Sequence, residues 1–448
     1  MTLLAVVVLL GVLIFVHELG HFWAAKSVGV AVQRFSIGLG PRVWGFHRGD
    51  TEYVLSAIPL GGYVKMQGME DEVLEHLEGG AARGGKKPGP GDFDAQPVWA
   101  RAVVISAGVI MNMIFAFFLY TLVAAAWGLQ ETAVTRVMDV NESTLPAGAE
   151  ALADIVPGAS IVSIGAVRPN SWNEIQRAFE ESAPGPLTVV TESPQGVFDL
   201  IVPADEEDRR ALAGSLRYWS DPVVGSVQTG TPAAGAAIEQ GDRVTHVAGV
   251  PVGSWAEMTR ELGARPGERV EIGLLRGDAN LTRMVVLDDV EGERAGERRG
   301  MLGILQEPPP LRTVSLGLGE AVSFGAARTT EVTAAILRFL RNLVTLNESP
   351  RSVGSIGTIW VFSGAAAAGG LSTFLGFMAF FSINLAILNM LPIPPLDGGH
   401  MVFLGIEFVR GEKLGVKQRV RWGQIGFYVI VGIMVWALGN DLLRFFGL

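Results

Sequence analysis

The chain has 448 residues, 35 Lys plus Arg against 45 Asp plus Glu, a formal net charge of −10 and no cysteine. The length points to two or more domains, and the acidic balance gives no support to nucleic-acid binding. Without thiols there can be no disulfide and no thiolate metal ligand, so any zinc must be held by His, Asp or Glu. Hydrophobic residues make up 49% of the chain and the mean hydropathy is +0.35, which fits membrane spans joined to a soluble part.

Met1–Val16 contains no charge, and His17-Glu18-Leu19-Gly20-His21 follows directly. On a helix this spacing puts two imidazoles at i and i+4, on one face, where they can share a zinc ion; the Glu between them is placed as a general base. Charged groups inside an apolar helix are costly, so they mark a functional site by default. The plainer alternative is a pair of histidines bridging polar groups between spans. The segment lacks a basic n-region and a small-residue cleavage site, and cleavage near Ala24-Ala25 would discard both histidines. It reads as a retained span, Thr2–Ala24, within a first domain of residues 1–24.

Residues 25–101 form a loop. Phe35–Gly40 and Glu52–Met66 contain strand-like runs broken by Gly and Pro, which suggests a small membrane-associated β region. Arg34, Arg42 and Arg48 read as charges beside the inner leaflet. Residues 76–97, rich in Gly, Pro, Lys and Arg, read as a flexible insertion with no core of its own. A second span, Ala102–Gly128 within 102–128, carries Asn112. Polar groups at such depth usually face other helices.

An internal repeat follows. Ser171-Trp172-Asn173-Glu174 recurs as Ser254-Trp255-Ala256-Glu257, Gly158–Val162 aligns with Gly241–Thr245, and Leu187–Val190 aligns with Val270–Gly273, all at one offset of 83 residues. Two tandem copies of a small α+β domain are expected, at 129–218 and 219–308. Residues 309–370 read as an amphipathic helix over 314–345, lying at the outer surface, and a linker. The third span, Leu371–Leu391 (371–391), carries Asn384 and Asn389. After it comes Asn389-Met390-Leu391-Pro392-Ile393-Pro394-Pro395-Leu396-Asp397-Gly398-Gly399-His400, which opens a loop over 392–421. The fourth span is Trp422–Phe446 (422–446).

Lys and Arg crowd the loops after the first span and before the fourth, so both loops should be cytoplasmic and both termini extracytoplasmic. The long stretch between spans two and three is then extracytoplasmic. Spans one and three both run inward, which brings the HExxH and the Asp397 segment to similar depth near the cytoplasmic side. A catalytic zinc needs a third protein ligand. Asp397 is the best candidate, with His400 as the fallback; the alternative for Asp397 is a helix N-cap.

The HExxH in a first span, together with Asn389-x-x-Pro392-x-Pro394-x-Leu396-Asp397-Gly398 after a third, resembles the site-2 protease family of intramembrane zinc metalloproteases. The order of span, span, tandem repeat, span, span is similar to the branch with two PDZ domains, and the resemblance covers nearly the whole chain. It implies Zn2+ bound by His17, His21 and Asp397, with Glu18 catalytic. It also implies that Asn389, Pro392 and Pro394 handle substrate, and that the region around Pro59-Leu60-Gly61-Gly62-Tyr63 pairs with an extended substrate. Strand addition would satisfy the N–H and C=O groups freed when a membrane helix unwinds. In the first repeat Gly158-Ala159 stands where PDZ domains of this type usually carry Gly-Asp; the second keeps Gly241-Asp242. The tandem pair is expected either to exclude bulky substrates by size or to bind peptide or protein ligands.

The expected protein is thus a multi-pass inner-membrane zinc endopeptidase in the lipid bilayer. It cleaves single-span membrane proteins, of the anti-sigma factor or remnant signal peptide type, after their outer domains are trimmed. A metal transporter would need neither the Glu of the HExxH nor the tandem pair, and a catalytically inactive PDZ adaptor would not need the motif intact.

Overall fold

A computed structural model describes residues 2–68, 89–291, 298–345 and 356–445. The chain divides into two compact units, residues 1–128 with 315–448, and residues 129–314.

In the first unit, four helices are long and apolar enough to cross a membrane: Thr2–Ser27, Val98–Trp127, Leu371–Asn389 and Gln418–Asn440. The helices of this unit are α1 (Thr2–Ser27), α2 (Val98–Trp127), and, after the second unit, α6 (Leu318–Val344), α7 (Ile356–Ala368), α8 (Leu371–Asn389), α9 (Asp397–Arg410) and α10 (Val416–Phe445). Between apolar helices in lipid the hydrophobic effect gives little drive to associate, so small residues that admit close backbone approach decide the contacts. Gly20 of α1 lies against the Ala107 carbonyl of α2, where any Cβ would collide. Leu9 and Leu13 of α1 and Ala116 and Leu119 of α2 share a buried cluster with Met378, Ala379 and Ile383 of α8.

An amphipathic helix forms within 314–345, as expected: α6 buries Ala321, Gly325, Thr329 and Val332, and Gly325 sits on Thr121 and the Phe117 carbonyl of α2. Gly and Thr at four-residue spacing give it a narrow small-residue face. One stretch differs from expectation. Ile356–Ala368, expected as linker, is a helix; its run of Ala and other apolar residues has high helix propensity. The insertion expected over 76–97 lies partly outside the described residues. Its last part is anchored by Phe93, which is 5% exposed in a cluster with Val30, Val32, Val104 and Leu404.

Next to α1 lies a sheet of two long bent strands, β1 (Val32–Arg48) and β2 (Thr51–Met66). Each folds back on itself. Arg34–Ile37 pairs on one side with Gly62–Lys65 and on the other with Glu52–Leu55, and Trp44–Arg48 pairs with Thr51–Leu55. Gly38 at a bend has φ +90, and a Cβ there would lie 2.7 Å from the Ile58 carbonyl oxygen, so only Gly fits. Arg34 and Arg42 are not simple surface charges. Both pair with Glu52, at 2.8 and 2.5 Å, and the Arg34 guanidinium holds the Glu52 carboxyl below its ordinary range.

The second unit repeats one plan. The first copy carries a sheet in the order β3 (Ser160–Ile164), β4 (Gly185–Glu192), β5 (Gly196–Val202), with α3 (Trp172–Glu181) and α4 (Glu206–Ser215). The second has the order β7 (Val250–Pro251), β6 (Arg243–Val247), β8 (Arg269–Arg276), β9 (Ala279–Val286), with α5 (Trp255–Gly263). Each copy has its own core, one around Ile161, Ile175, Phe179 and Val189, the other around Val244, Met258, Ile272 and Leu274. In water each such side chain contributes about 1.5–3 kcal/mol. The repeated Ser-Trp-x-Glu is a helix start in both. Ser171 and Ser254 accept from the N–H of Glu174 and Glu257, and those carboxylates reach back to the N–H of Asn170 and Gly253, a reciprocal cap. Leu129–Thr132 pairs with Leu311–Val314, so the unit's entry and exit strands close on each other.

The copies differ at one ion cluster. In the second, the fully buried Asp242 takes two hydrogen bonds from Arg276, at 2.7 and 2.8 Å, and caps the Glu239 N–H. Arg276 holds the Asp242 carboxyl below its ordinary range. At the same offset the first copy has Ala159 and Ser193. Both partners are missing together.

Candidate metal centre

α1 presents His17 and His21 one turn apart on its inner face, each 7% exposed. α9 begins at Asp397, whose N-cap is Leu396. Asp397 is therefore the first helical residue rather than the cap, and its side chain is turned to the histidines. Two glycines explain how it gets there. A Cβ at Gly398 would strike the Met390 and Leu391 carbonyls, and one at Gly399 the Pro394 nitrogen. The first turn of α9 therefore folds directly onto the loop that contains Pro392 and Pro394. Arg101 of α2 and Glu407 of α9 form a bidentate, largely buried ion pair that ties the two helices below the site.

Three atoms converge. His17 Nε2 and His21 Nε2 are 3.1 Å apart, and Asp397 Oδ2 lies 3.3 Å from the first and 3.6 Å from the second. A tetrahedron with its centre about 2.05 Å from each ligand atom has edges of about 3.3 Å, so the triangle has the size of one zinc face. Asp397 Oδ2 is buried and accepts no hydrogen bond among the described residues. A carboxylate oxygen and two imidazole nitrogens aimed at one point are a donor set for a cation. Among the described residues His17, His21 and Asp397 form the one such cluster. His400 is not in it; its ring packs edge-on against Phe403, a position fixed by its place three residues along α9.

Second contacts orient the rings. His21 Nδ1 lies 2.8 Å from the Val104 carbonyl, and His17 Nδ1 lies 3.3 Å from Asn112 Nδ2. Asn389, the last residue of α8, brings its Nδ2 to 3.3 Å from His17 Nε2. Asn384 instead bonds the Phe380 carbonyl of its own helix. Gly108 of α2 lies under both imidazoles: a Cβ there would sit 2.5 Å from His21 Nε2 and 2.6 Å from His17 Cε1. The sequence reading missed Gly108 as part of the site. The available signal was its four-residue spacing from Asn112 on a span already marked as polar. Glu18 is half-buried, with the Val64 N–H of β2 in hydrogen-bonding reach. Gly62 abuts its side chain, with a built Cβ 3.3 Å from Glu18 Cγ. Tyr63 accepts a hydrogen bond from Arg34. Gly61–Met66 of β2 therefore runs beside the general-base candidate and pairs with β1.

The Regulator of sigma E protease of Salmonella typhi is 31% identical over 458 residues, covering 99% of this chain and 98% of its own. The Regulator of sigma-E protease RseP of Escherichia coli is 30% identical, covering 98% and 97%. A Pasteurella multocida protein named as a zinc metalloprotease is 30% identical, covering 98% of each. A solved PDZ domain of an SdrC-like protein from Listeria monocytogenes matches 20% of this chain and 90% of its own, at 25% identity and a TM-score of 0.17. The profile of peptidase family M50 matches residues 5–433, a range that takes in the first span with its HExxH and the Asp-Gly segment alike. This chain, a zinc-dependent metalloprotease of site-2 type, belongs to peptidase family M50.

Proposed function

We propose that His17, His21 and Asp397 hold the catalytic zinc and that Glu18 is the general base. The enzyme is read as an intramembrane endopeptidase acting on single-span membrane proteins. The observation that carries this reading is the triangle of Nε2, Nε2 and Oδ2 atoms at tetrahedral-edge distances, between helices apolar enough to span a bilayer. Held by His17, His21 and Asp397, a zinc ion would supply Lewis acidity toward water and the peptide carbonyl. Glu18 takes the proton of the attacking water and returns it to the leaving amine. Asn389, whose Nδ2 lies 3.3 Å from His17 Nε2, is read as a donor to the oxygen on which negative charge develops.

The stretch of β2 beside Glu18, around Gly61 and Gly62, is the proposed seat of the unwound substrate. Its backbone would replace the hydrogen bonds lost from the substrate helix, with Gly61, Gly62 and Tyr63 keeping the approach to Glu18 narrow. Pro392 and Pro394 would line the same path by holding the loop that carries Asp397. Residues 129–218 and 219–308 are read as tandem PDZ-like domains, extracytoplasmic like both termini, with the metal centre nearer the cytoplasmic side of the bacterial inner membrane. The charge bias of the short loops supports this orientation. The tandem pair is read as a size filter, so substrates arrive with their outer domains already removed. The leading classes are anti-sigma factors, in keeping with relatives named as regulators of sigma E, and remnant signal peptides.

The test replaces Glu18 with Gln in the full chain and assays cleavage of a model single-span substrate in membranes. Cleavage should fall by at least about 10²-fold while zinc stays bound. Unchanged cleavage would sink the assignment.

A further inference from the structure

The two histidines are held from behind in different ways. His21 Nδ1 faces the Val104 carbonyl oxygen at 2.8 Å. A carbonyl can only accept, so Nδ1 carries the ring proton and Nε2 keeps its lone pair for a metal. His17 Nδ1 has no hydrogen bond to a backbone carbonyl among the described residues. It faces the side-chain amide of Asn112, with Nδ2 at 3.3 Å. Asn112 is fully buried, and its Oδ1 has no hydrogen-bond partner among the described residues. Its backbone carbonyl accepts from Ser382 Oγ of α8 at 2.7 Å, so the residue is fixed between two helices with its amide against the ring.

A half-turn of the amide exchanges Oδ1 and Nδ2 without changing its volume. The two orientations have opposite consequences. With Nδ2 toward the ring, Asn112 donates to Nδ1, the ring proton moves to Nε2, and that nitrogen cannot ligate. With Oδ1 toward the ring, Asn112 accepts from Nδ1–H, as Val104 does from His21, and both Nε2 lone pairs point at Asp397. Either way one end of the buried amide is without a partner. Ligation breaks the tie, because electron density drawn from Nε2 makes Nδ1–H a stronger donor.

We propose that Asn112 is a positioning residue whose side-chain oxygen accepts the His17 Nδ1–H and so selects the zinc-binding tautomer. This rests on the reading of His17 as a ligand. Asn112 touches neither the metal nor the substrate, and its effect is on affinity through the ring.

The test is a competition titration of zinc against a chromogenic chelator at neutral pH, on the full-length protein in detergent. Wild type is compared with Asn112→Leu, which removes the acceptor at similar volume, and Asn112→Asp, which can only accept when ionised. The Leu variant should bind zinc about 10–100-fold more weakly, and the Asp variant should bind in the wild-type range or tighter. Equal affinity in the Leu variant and wild type would overturn the proposal. If the Leu variant does not fold, the Asp variant decides alone: retained affinity supports the acceptor role, and affinity lost in a folded protein overturns it. Failure of the wild type to bind zinc would overturn instead the ligand reading on which this one rests.

Discussion

Replacing Gly108 with Ala probes the contact on which the proposed metal centre is built. The added Cβ would lie 2.5 Å from His21 Nε2, 2.6 Å from His17 Cε1 and 2.8 Å from His17 Nδ1. Heavy atoms at rest sit about 3.5–4.0 Å apart, so the rings must retreat by about 1 Å. Metal ligands tolerate errors of about 0.2 Å. The strain has two outlets. Either the imidazoles swing off their rotamers, or α1 and α2 separate and open the neighbouring contact of Gly20 on Ala107. Both move the atoms that face Asp397, and overpacking of this kind costs about 1–3 kcal/mol. The variant should keep its helix content, bind zinc at least about tenfold more weakly, and lose cleavage in proportion. Zinc per chain is measured by atomic absorption after dialysis against a chelator, alongside the cleavage assay. A variant that retains one zinc per chain and wild-type cleavage would refute the contact and the reasoning from it.

Two further outcomes follow from other parts of the chain. Gly62→Val adds a side chain whose Cβ would lie 2.9 Å from the Ser36 carbonyl oxygen and 3.3 Å from Glu18 Cγ. It should push β2 from α1 and lower kcat by about 10²-fold with zinc content unchanged; loss of zinc instead would show that the sheet supports the metal rather than the substrate. Asp242 has its folded-state pKa lowered by Arg276. The stability this supplies is present above the unfolded value of about 3.9 and is lost as pH falls through the folded value. Hydrogen exchange on the full chain should therefore show β6 and β8 losing protection below about pH 4. Arg276→Met should remove that group's share of the acid dependence, and an unchanged profile would argue against it.

The site was legible in the sequence where its chemistry depends on spacing along one element. His17, Glu18 and His21 are set by a single helix, and Asp397 is reached as a candidate by its matching depth at the end of a third span. The repeat was legible because Ser-Trp-x-Glu is a local capping device, and so recurs wherever the helix start recurs. The parts that were not legible depend on contacts between elements. Gly108 and Asn112 matter because α2 crosses α1 at one particular height, which composition does not encode. Phe93 looked like part of a coreless insertion because one aromatic among Gly, Pro and charge carries no periodicity. Ion pairs such as Arg34–Glu52 were not legible because strand register, not sequence distance, brings them together.

The ion cluster of the second repeat bears on how the two copies could diverge. Restoring Asp at position 159 alone would bury a carboxylate with Ser193 where its guanidinium should be, and an unpaired buried charge is strongly destabilising. Arg at the exposed position 193 alone would cost little, because a lone cation there stays in water. The two charges therefore have an order: the guanidinium first at the surface, then the carboxylate beneath it. An Asp at 159 becomes tolerable only once its partner is in place, so the path between the two copies has a direction.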